Sequence, residues 1–323
     1  MVFLDKKDIE YKDFPYFHIP AIFDAKLLFP DSSKKFNRLS IYDLIKLYAK
    51  KDINFVVYGC PCSCTWNGGR YMTSPVYKVN IIKRMFSKYI NDLGMDIQIT
   101  FTNSLLEERD TYDRLGNAIL KICQEFKDNC EILIVSPILE DYIRKNYPDL
   151  KLARSIINLT KPTDEDFKKY NTVVVPKWQN HDMDYLKSIV YSHKIELLVD
   201  EPCLIDCPRK SSHYETYNKN QLFIENNEID YCNKNDNTAY NELMILPDEI
   251  NDYIDIGIKH FKLSGREDIF HMLSTVSYYA IKNENVDIFT FICFENIRKI
   301  GYFDTIENMI YEGDDINDQE TVS

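Results

Sequence analysis

From Ile53 onward, short apolar runs rich in β-branched and aromatic residues alternate with amphipathic segments. A chain patterned this way has few means of burying its strands. Each strand needs a helix on its outer face, and successive strands then lie parallel. INFVVYG (Ile53 to Gly59) reads as a buried strand, and Ser74-Pro75 supplies an N-cap and first helical position. Val79, Ile82, Phe86 and Ile90 follow at helical spacing, and Gly94 ends the segment. DIQITFT, EILIVS, LARSIIN, TVVVP, KIELLVD and HFKLSG repeat the strand signal at Asp96, Glu131, Leu152, Thr172, Lys194 and His260. DIFTFICF (Asp287 to Phe294) is the candidate for an eighth strand. The pattern predicts a closed (β/α)8 TIM-type barrel, complete or lacking one unit, with its chemistry at the carboxyl ends of the strands.

This reading divides the chain into three parts. Residues 1–50 form an N-terminal extension packed on the barrel, residues 51–300 form the barrel, and residues 301–323 form an acidic tail. A long insertion, residues 201–244, follows the sixth predicted strand. The formal net charge of −12 does not suit non-specific nucleic-acid binding, which depends on neutralising phosphates. No apolar run approaches membrane-spanning length, and charge interrupts the opening MVFLDKKDIEYKDF, so the expected location is cytoplasmic. In that compartment an odd count of 9 cysteines points to thiols, metal ligation or catalysis before a disulfide framework.

Three clusters fall at predicted strand ends. After the sixth strand, EPCLIDCPRKSSHYE brings together Glu201, Cys203, Cys207, Arg209 and His213, and Cys232 ends the same insertion. Thiolates on a loop can chelate iron or zinc; the alternative is a set of free, partly buried thiols. After Gly59, Cys60, Cys62 and Cys64 alternate and would share one side of an extended segment. Trp66-Asn67-Gly68-Gly69-Arg70 follows, with glycines that let backbone approach a ligand and an arginine suited to a carboxylate or phosphate. The alternative there is a simple Asn-Gly turn. In FKLSGRED, Lys262 and Ser264 should face the barrel interior and Phe261 and Leu263 the helices, with Arg266 at the strand end. A lysine so placed either pairs structurally, with Asp200 or Glu201 nearest in the barrel order, or reaches an anionic ligand. His18, His181, His193 and His271 have no partner visible in the sequence.

The segment ILPDEINDYIDIGIKHFKLSGRED resembles the signature of the collagenase-like peptidase family U-32, in which a helix ends in glycine before a strand of the form F/L-K-I-E-G-R. VVVPKWQNHDMDYLKSIVYSHKIELLVDEPC is similar to the preceding part of that family, and the likeness covers residues 131 to 280. Two departures stand out: Ser264 occupies the place of the family's glutamate, and the cysteine spacing is its own. The resemblance implies a barrel, a [4Fe-4S] cluster held by cysteines, and in several members oxygen-independent hydroxylation. On that basis Cys203, Cys207 and Cys232 would be three ligands, with the fourth from Cys60, Cys62, Cys64, an external group or the substrate. His213 and Lys262 would act in catalysis. Trp66, Asn67, Arg70, Glu201, Arg209 and Arg266 would bind a small anionic substrate or a modified biomolecule. The competing readings are a hydrolase with Cys203 or Cys207 as nucleophile and His213 as base, and a non-catalytic binding barrel.

Overall fold

The computed structural model describes residues 9–23, 40–68, 77–157, 160–201, 203, 209–224, 243–265 and 269–299. Eight parallel strands close on themselves in chain order. They are β1 (Tyr16–Ile19), β2 (Asn54–Gly59), β3 (Asp96–Phe101), β4 (Cys130–Ile134), β5 (Lys151–Arg154), β6 (Thr172–Val175), β7 (Ile195–Leu198) and β8 (His260–Lys262). Closure runs through β1, where His18 is in register with both Val56 of β2 and Lys262 of β8. The helices are α1 (Ile41–Tyr48), α2 (Val79–Ser87), α3 (Arg114–Glu125), α4 (Pro137–Asn146), α5 (Asp164–Lys169), α6 (Met183–Ser188), α7 (Lys210–Gln221), α8 (Ile250–Asp255), α9 (Ile269–Tyr279) and α10 (Val286–Lys299). None among the described residues is long and apolar enough to cross a membrane.

Local chemistry sets several boundaries. Ser136 Oγ accepts from the Leu139 amide, and Pro137 opens α4 with φ already suited to a helix. Ser40 and Asp43 form a reciprocal capping box at α1. Along the strands, alternate residues take opposite roles. Phe17, Phe55, Ile97, Ile132, Val173 and Phe261 face the helices in one large apolar layer. At roughly 1.5–3 kcal/mol for each fully buried large side chain, that layer supplies most of the driving force for the barrel. Their neighbours face inward, where Leu133, Ala153 and Val174 make a small separate apolar cluster.

Two strand assignments need correction. The barrel begins at Tyr16, inside the segment expected to pack outside it, so Ile53–Gly59 marks the second strand and the insertion follows the seventh. The candidate eighth strand, Asp287 to Phe294, is helical. Phe289 and Cys293, four apart, are buried while Ile288 and Phe291 are exposed, and this is a helical period rather than the alternation of a strand. The LARSIIN strand also stops early, at Arg154, and Ser155 to Ile157 turn over the barrel mouth. Ser74 and Pro75, most of the insertion and the acidic tail lie outside the described residues.

Candidate functional site

The barrel interior is polar beneath its carboxyl-end mouth. Lys262 Nζ donates to Glu196 Oε1 and to Gln98 Oε1, each at 2.6 Å, and stands 4.4 Å from the centre of the Tyr58 ring. The Gln98 amide donates to Glu196 Oε2 at 2.8 Å and to Glu131 Oε2 at 3.2 Å. His18 Nδ1 lies 3.4 Å from Glu196 Oε2, and its Nε2 lies 3.1 Å from His260 Nδ1. Of the two carboxylates that Gln98 bridges, Lys262 contacts only Glu196, and that decides which of them stays charged. Burial pushes Glu131 up to about 7, helped by the neighbouring Glu196 charge. Burial also works against the Glu196 charge, but Lys262 and His18 outweigh it and hold that carboxyl at about 2. Burial drives the His18 imidazole down to about 3.

Lys262 therefore faces inward, as strand alternation predicts, while Phe261 and Leu263 face the helices. Its partner is Glu196, rather than Asp200 or Glu201. An ammonium has three hydrogens: two go to Glu196 and Gln98, and the Tyr58 face lies beside the group. The structural pairing is therefore present, and Lys262 also lines the cavity.

Above this floor lies an open cavity of about 80 Å³. Tyr58, Thr102, Asp200, Glu201, Lys262 and Ser264 give it polar walls, and Leu133, Ile156, Val174 and Leu198 give it apolar ones. Asp200 and Ser264 continue the inward alternation of β7 and β8. Asp200 Oδ1 accepts from the Ser264 amide at 2.7 Å, and Oδ2 accepts from Ser264 Oγ at 2.9 Å and Thr275 Oγ1 at 3.0 Å. His271 Nε2 lies 2.7 Å from Ser264 Oγ. Burial raises the Asp200 carboxyl, while the nearby His271 and the hydrogen bonds from Ser264 and Thr275 oppose the rise. One turn apart on α9, His271 contacts Ser264 and Thr275 donates to Asp200. Gly265 makes this close approach possible: its φ is +115°, and a Cβ there would lie 2.6 Å from the Met272 backbone.

Helix α7 carries the insertion back across the mouth. Gln221 Nε2 donates to the carbonyls of Cys62 and Cys64 at 2.6 and 2.8 Å. Asn218 is fully buried against Asn103 and Ser104, and Tyr214 lines the cavity. His213 is half-buried and stacks on Tyr217 with ring centres 4.8 Å apart. It lies beside the cavity-lining Tyr214 but is not itself among the cavity walls. Arg209 is exposed at the start of α7, and Glu201 lines the cavity while its carbonyl accepts from Lys177 Nζ at 3.2 Å.

The loop after β2 differs from its expected form. Cys60, Cys62 and Cys64 lie in successive turns, with Cys64 N bonded to Pro61 O, and do not share one extended face. Cys60 and Cys64 are fully buried in the apolar layer, and Cys64 Sγ points to Asp113 at 3.9 Å. Trp66 is also fully buried: its Nε1 donates to Asp110 O at 2.6 Å and its ring meets Phe101 edge-on. The indole is thus a packing element and not a contact for substrate. Asn67 is buried beside it, and Gly68 makes its close approach to Asn103 and Asn218 of the same chain rather than to a ligand. Gly116→Ala should cost about 1–3 kcal/mol, because its new Cβ would fall 2.4 Å from the Trp66 ring. Urea unfolding checks this, and an unchanged midpoint would mean that the indole yields.

Cys203 is half-buried, two residues after the cavity-lining Glu201. Arg70, Cys207, Cys232 and Arg266 lie outside the described residues. Among the described residues no three His, Cys, Asp or Glu side chains converge as a metal site. Of the cluster ligands suggested by sequence, Cys60 and Cys64 are buried and Cys62 and Cys203 half-buried.

Sequence reasoning missed Asp200, Ser264 and His271 as a group, and Glu196, Gln98, Glu131 and His18 as another. A lookout for polar residues at inward positions of successive strands would have flagged most of them. His271 sits on a helix, and only the fold brings it to Ser264. His181 likewise finds Tyr253, at 3.3 Å.

No protein-family model matches the chain, and no curated protein matches it. Among solved structures the chain is similar to the U32 peptidase Mk0906, at 13% identity and a TM-score of 0.46, over 81% of this chain and 97% of that one.

Proposed function

We propose that this chain is a barrel enzyme that acts on a small polar molecule at the carboxyl-end mouth over β7 and β8. The observation that carries the reading is the cavity there, with Asp200 and Ser264 in its wall and a hydrogen-bonded histidine behind them. Its volume, about 80 Å³, suits a few heavy atoms: a small metabolite or one protruding group of a larger one. Thermal-shift screening against small hydroxy acids, keto acids and amino acids tests it. Leu198→Trp should fill the cavity and abolish any response; a response that survives the substitution would place the ligand elsewhere.

A second reading adds an iron–sulfur cluster, and the half-buried Cys203, two residues after the cavity-lining Glu201, favours it. Cys203, Cys207 and Cys232 would hold the group, with Cys62 or an external ligand in the fourth place. Such a cluster supplies one-electron chemistry of the kind the U-32 resemblance implies. Glu201 and the α7 face carrying Tyr214 would then shape the substrate side of the site. Anaerobically purified protein should contain iron that is lost in the Cys203→Ala, Cys207→Ala double variant and kept in Cys123→Ala. Full iron content in the double variant would sink this second reading and leave the first intact.

A further inference from the structure

We propose that Asp200, Ser264 and His271 form a proton relay from the cavity to solvent, with Asp200 the acid–base group that meets the ligand. The proposal rests on the cavity being the reaction site. His271 Nε2 lies 3.7 Å from Asp200 Oδ2, too far for a direct hydrogen bond. Ser264 Oγ bridges them, at 2.7 Å from the one and 2.9 Å from the other. Asp200 accepts from three donors, as an ionised carboxylate does. With the Ser264 hydroxyl proton directed to Asp200, the relay requires His271 Nε2 to carry a hydrogen toward the Ser264 lone pair. Exposure grades along the chain in the sense a relay requires: the Asp200 side chain is 1% exposed and that of His271 22%.

Transfer conserves atoms and charge. Protonated His271 gives its Nε2 proton to Ser264 Oγ as Ser264 passes its own proton to Asp200, leaving a neutral imidazole and a carboxylic acid. Asp200 then protonates the ligand; the reverse order removes a proton from it. Asp200 is the catalytic residue, and Ser264 and His271 position it and carry the proton. The substrate class that fits is a small molecule with a hydroxyl, or with a carbon acid beside a carbonyl, whose proton must be moved. No oxidant is needed for this step. The alternative is that the same bonds merely staple α9 to the end of β8.

An epoxide separates the two. With 1,2-epoxypropane as the probe, an Asp200 carboxylate oxygen bonds to the ring carbon, the ring C–O bond breaks, and the freed oxygen takes the Ser264 proton, which protonated His271 replaces, leaving a neutral imidazole and an ester. Peptide mass spectrometry of the full chain should find Asp200 alkylated. The rate should fall at least about tenfold in Ser264→Ala and return in Ser264→Thr. His271→Gln provides a second variant if Ser264→Ala fails to fold. A mere staple predicts the opposite, because a carboxylate relieved of one donor is the better nucleophile. Alkylation that is equal or faster in Ser264→Ala and His271→Gln, or no labelling of Asp200 in the parent, would overturn the relay. The thermal-shift response and its loss in Leu198→Trp report on the cavity reading separately.

Discussion

Lys262→Met should destabilise the protein by about 3–5 kcal/mol. Lys262 and Glu196 are 4% and 0% exposed, with Nζ and Oε1 2.6 Å apart. Methionine matches the length of lysine and leaves no large void, so the loss comes from stranding the Glu196 charge. That carboxylate would keep only the Gln98 amide and the nearby His18 ring. Glu196→Gln introduced on top of Lys262→Met removes the stranded charge and should recover much of the loss. The pair is then non-additive by more than about 1 kcal/mol, as neighbours in one network are. Urea unfolding of the four proteins closes the cycle. A Lys262→Met loss below about 1 kcal/mol would show that the interior admits water or a compensating proton, and that the lysine is not required structurally.

The same network predicts how stability depends on pH. His18 is held neutral down to about 3 when folded, against an ordinary value of 6.5, so its contribution is lost as pH falls from 6.5 toward 3. Glu196, at about 2 against 4.5, contributes stability above 4.5 that is lost as pH falls toward 2. Glu131 works the other way. Its folded value near 7 means that the native state holds a proton the unfolded chain has released, so stability falls as pH rises from 4.5 to 7. Between 4.5 and 6.5 His18 and Glu131 oppose each other, and the curve should be shallow. Below 4.5 His18 and Glu196 act together, and stability should drop steeply, by several kcal/mol, since each tenfold change in proton affinity is worth roughly 1.4 kcal/mol. Glu131→Gln removes the opposing group. The variant should be more stable than the parent at pH 8, by roughly 2–4 kcal/mol on the same conversion. It should also begin losing stability near pH 6.5. Parallel curves for the two proteins would show that Glu131 does not titrate inside the barrel.

How much of this was legible in the sequence follows from which interactions are local. The alternation of FKLS in β8 placed Lys262 inward because side-chain direction along a strand is a two-residue property. The Ser136-Pro137 start of α4 was readable for the same reason, since a cap involves residues three apart. Tyr16–Ile19 was missed because YFHI is short and the amphipathic helix that follows it, Ile41–Tyr48, lies far along the chain. It becomes a strand by bonding to both β2 and β8. DIFTFICF has the composition of a strand, but α1 and α9 offer it a surface for a helical face, and packing overrode composition.

The sequence by itself determined the barrel, the end of it at which the insertion opens, and the inward lysine, because periodicity and order along the chain carry that information. Tertiary structure decided what the polar residues do. Glu196 rather than Asp200 holds Lys262, since register sets Leu198 beside Lys262 and leaves Asp200 level with Ser264. Cys60, Cys64 and Trp66 turn into the apolar layer because the loop after β2 coils instead of extending. His271 reaches Ser264 because the helix after β8 packs back tightly over Gly265. Each of these depends on a contact between segments whose distance in space no local pattern encodes.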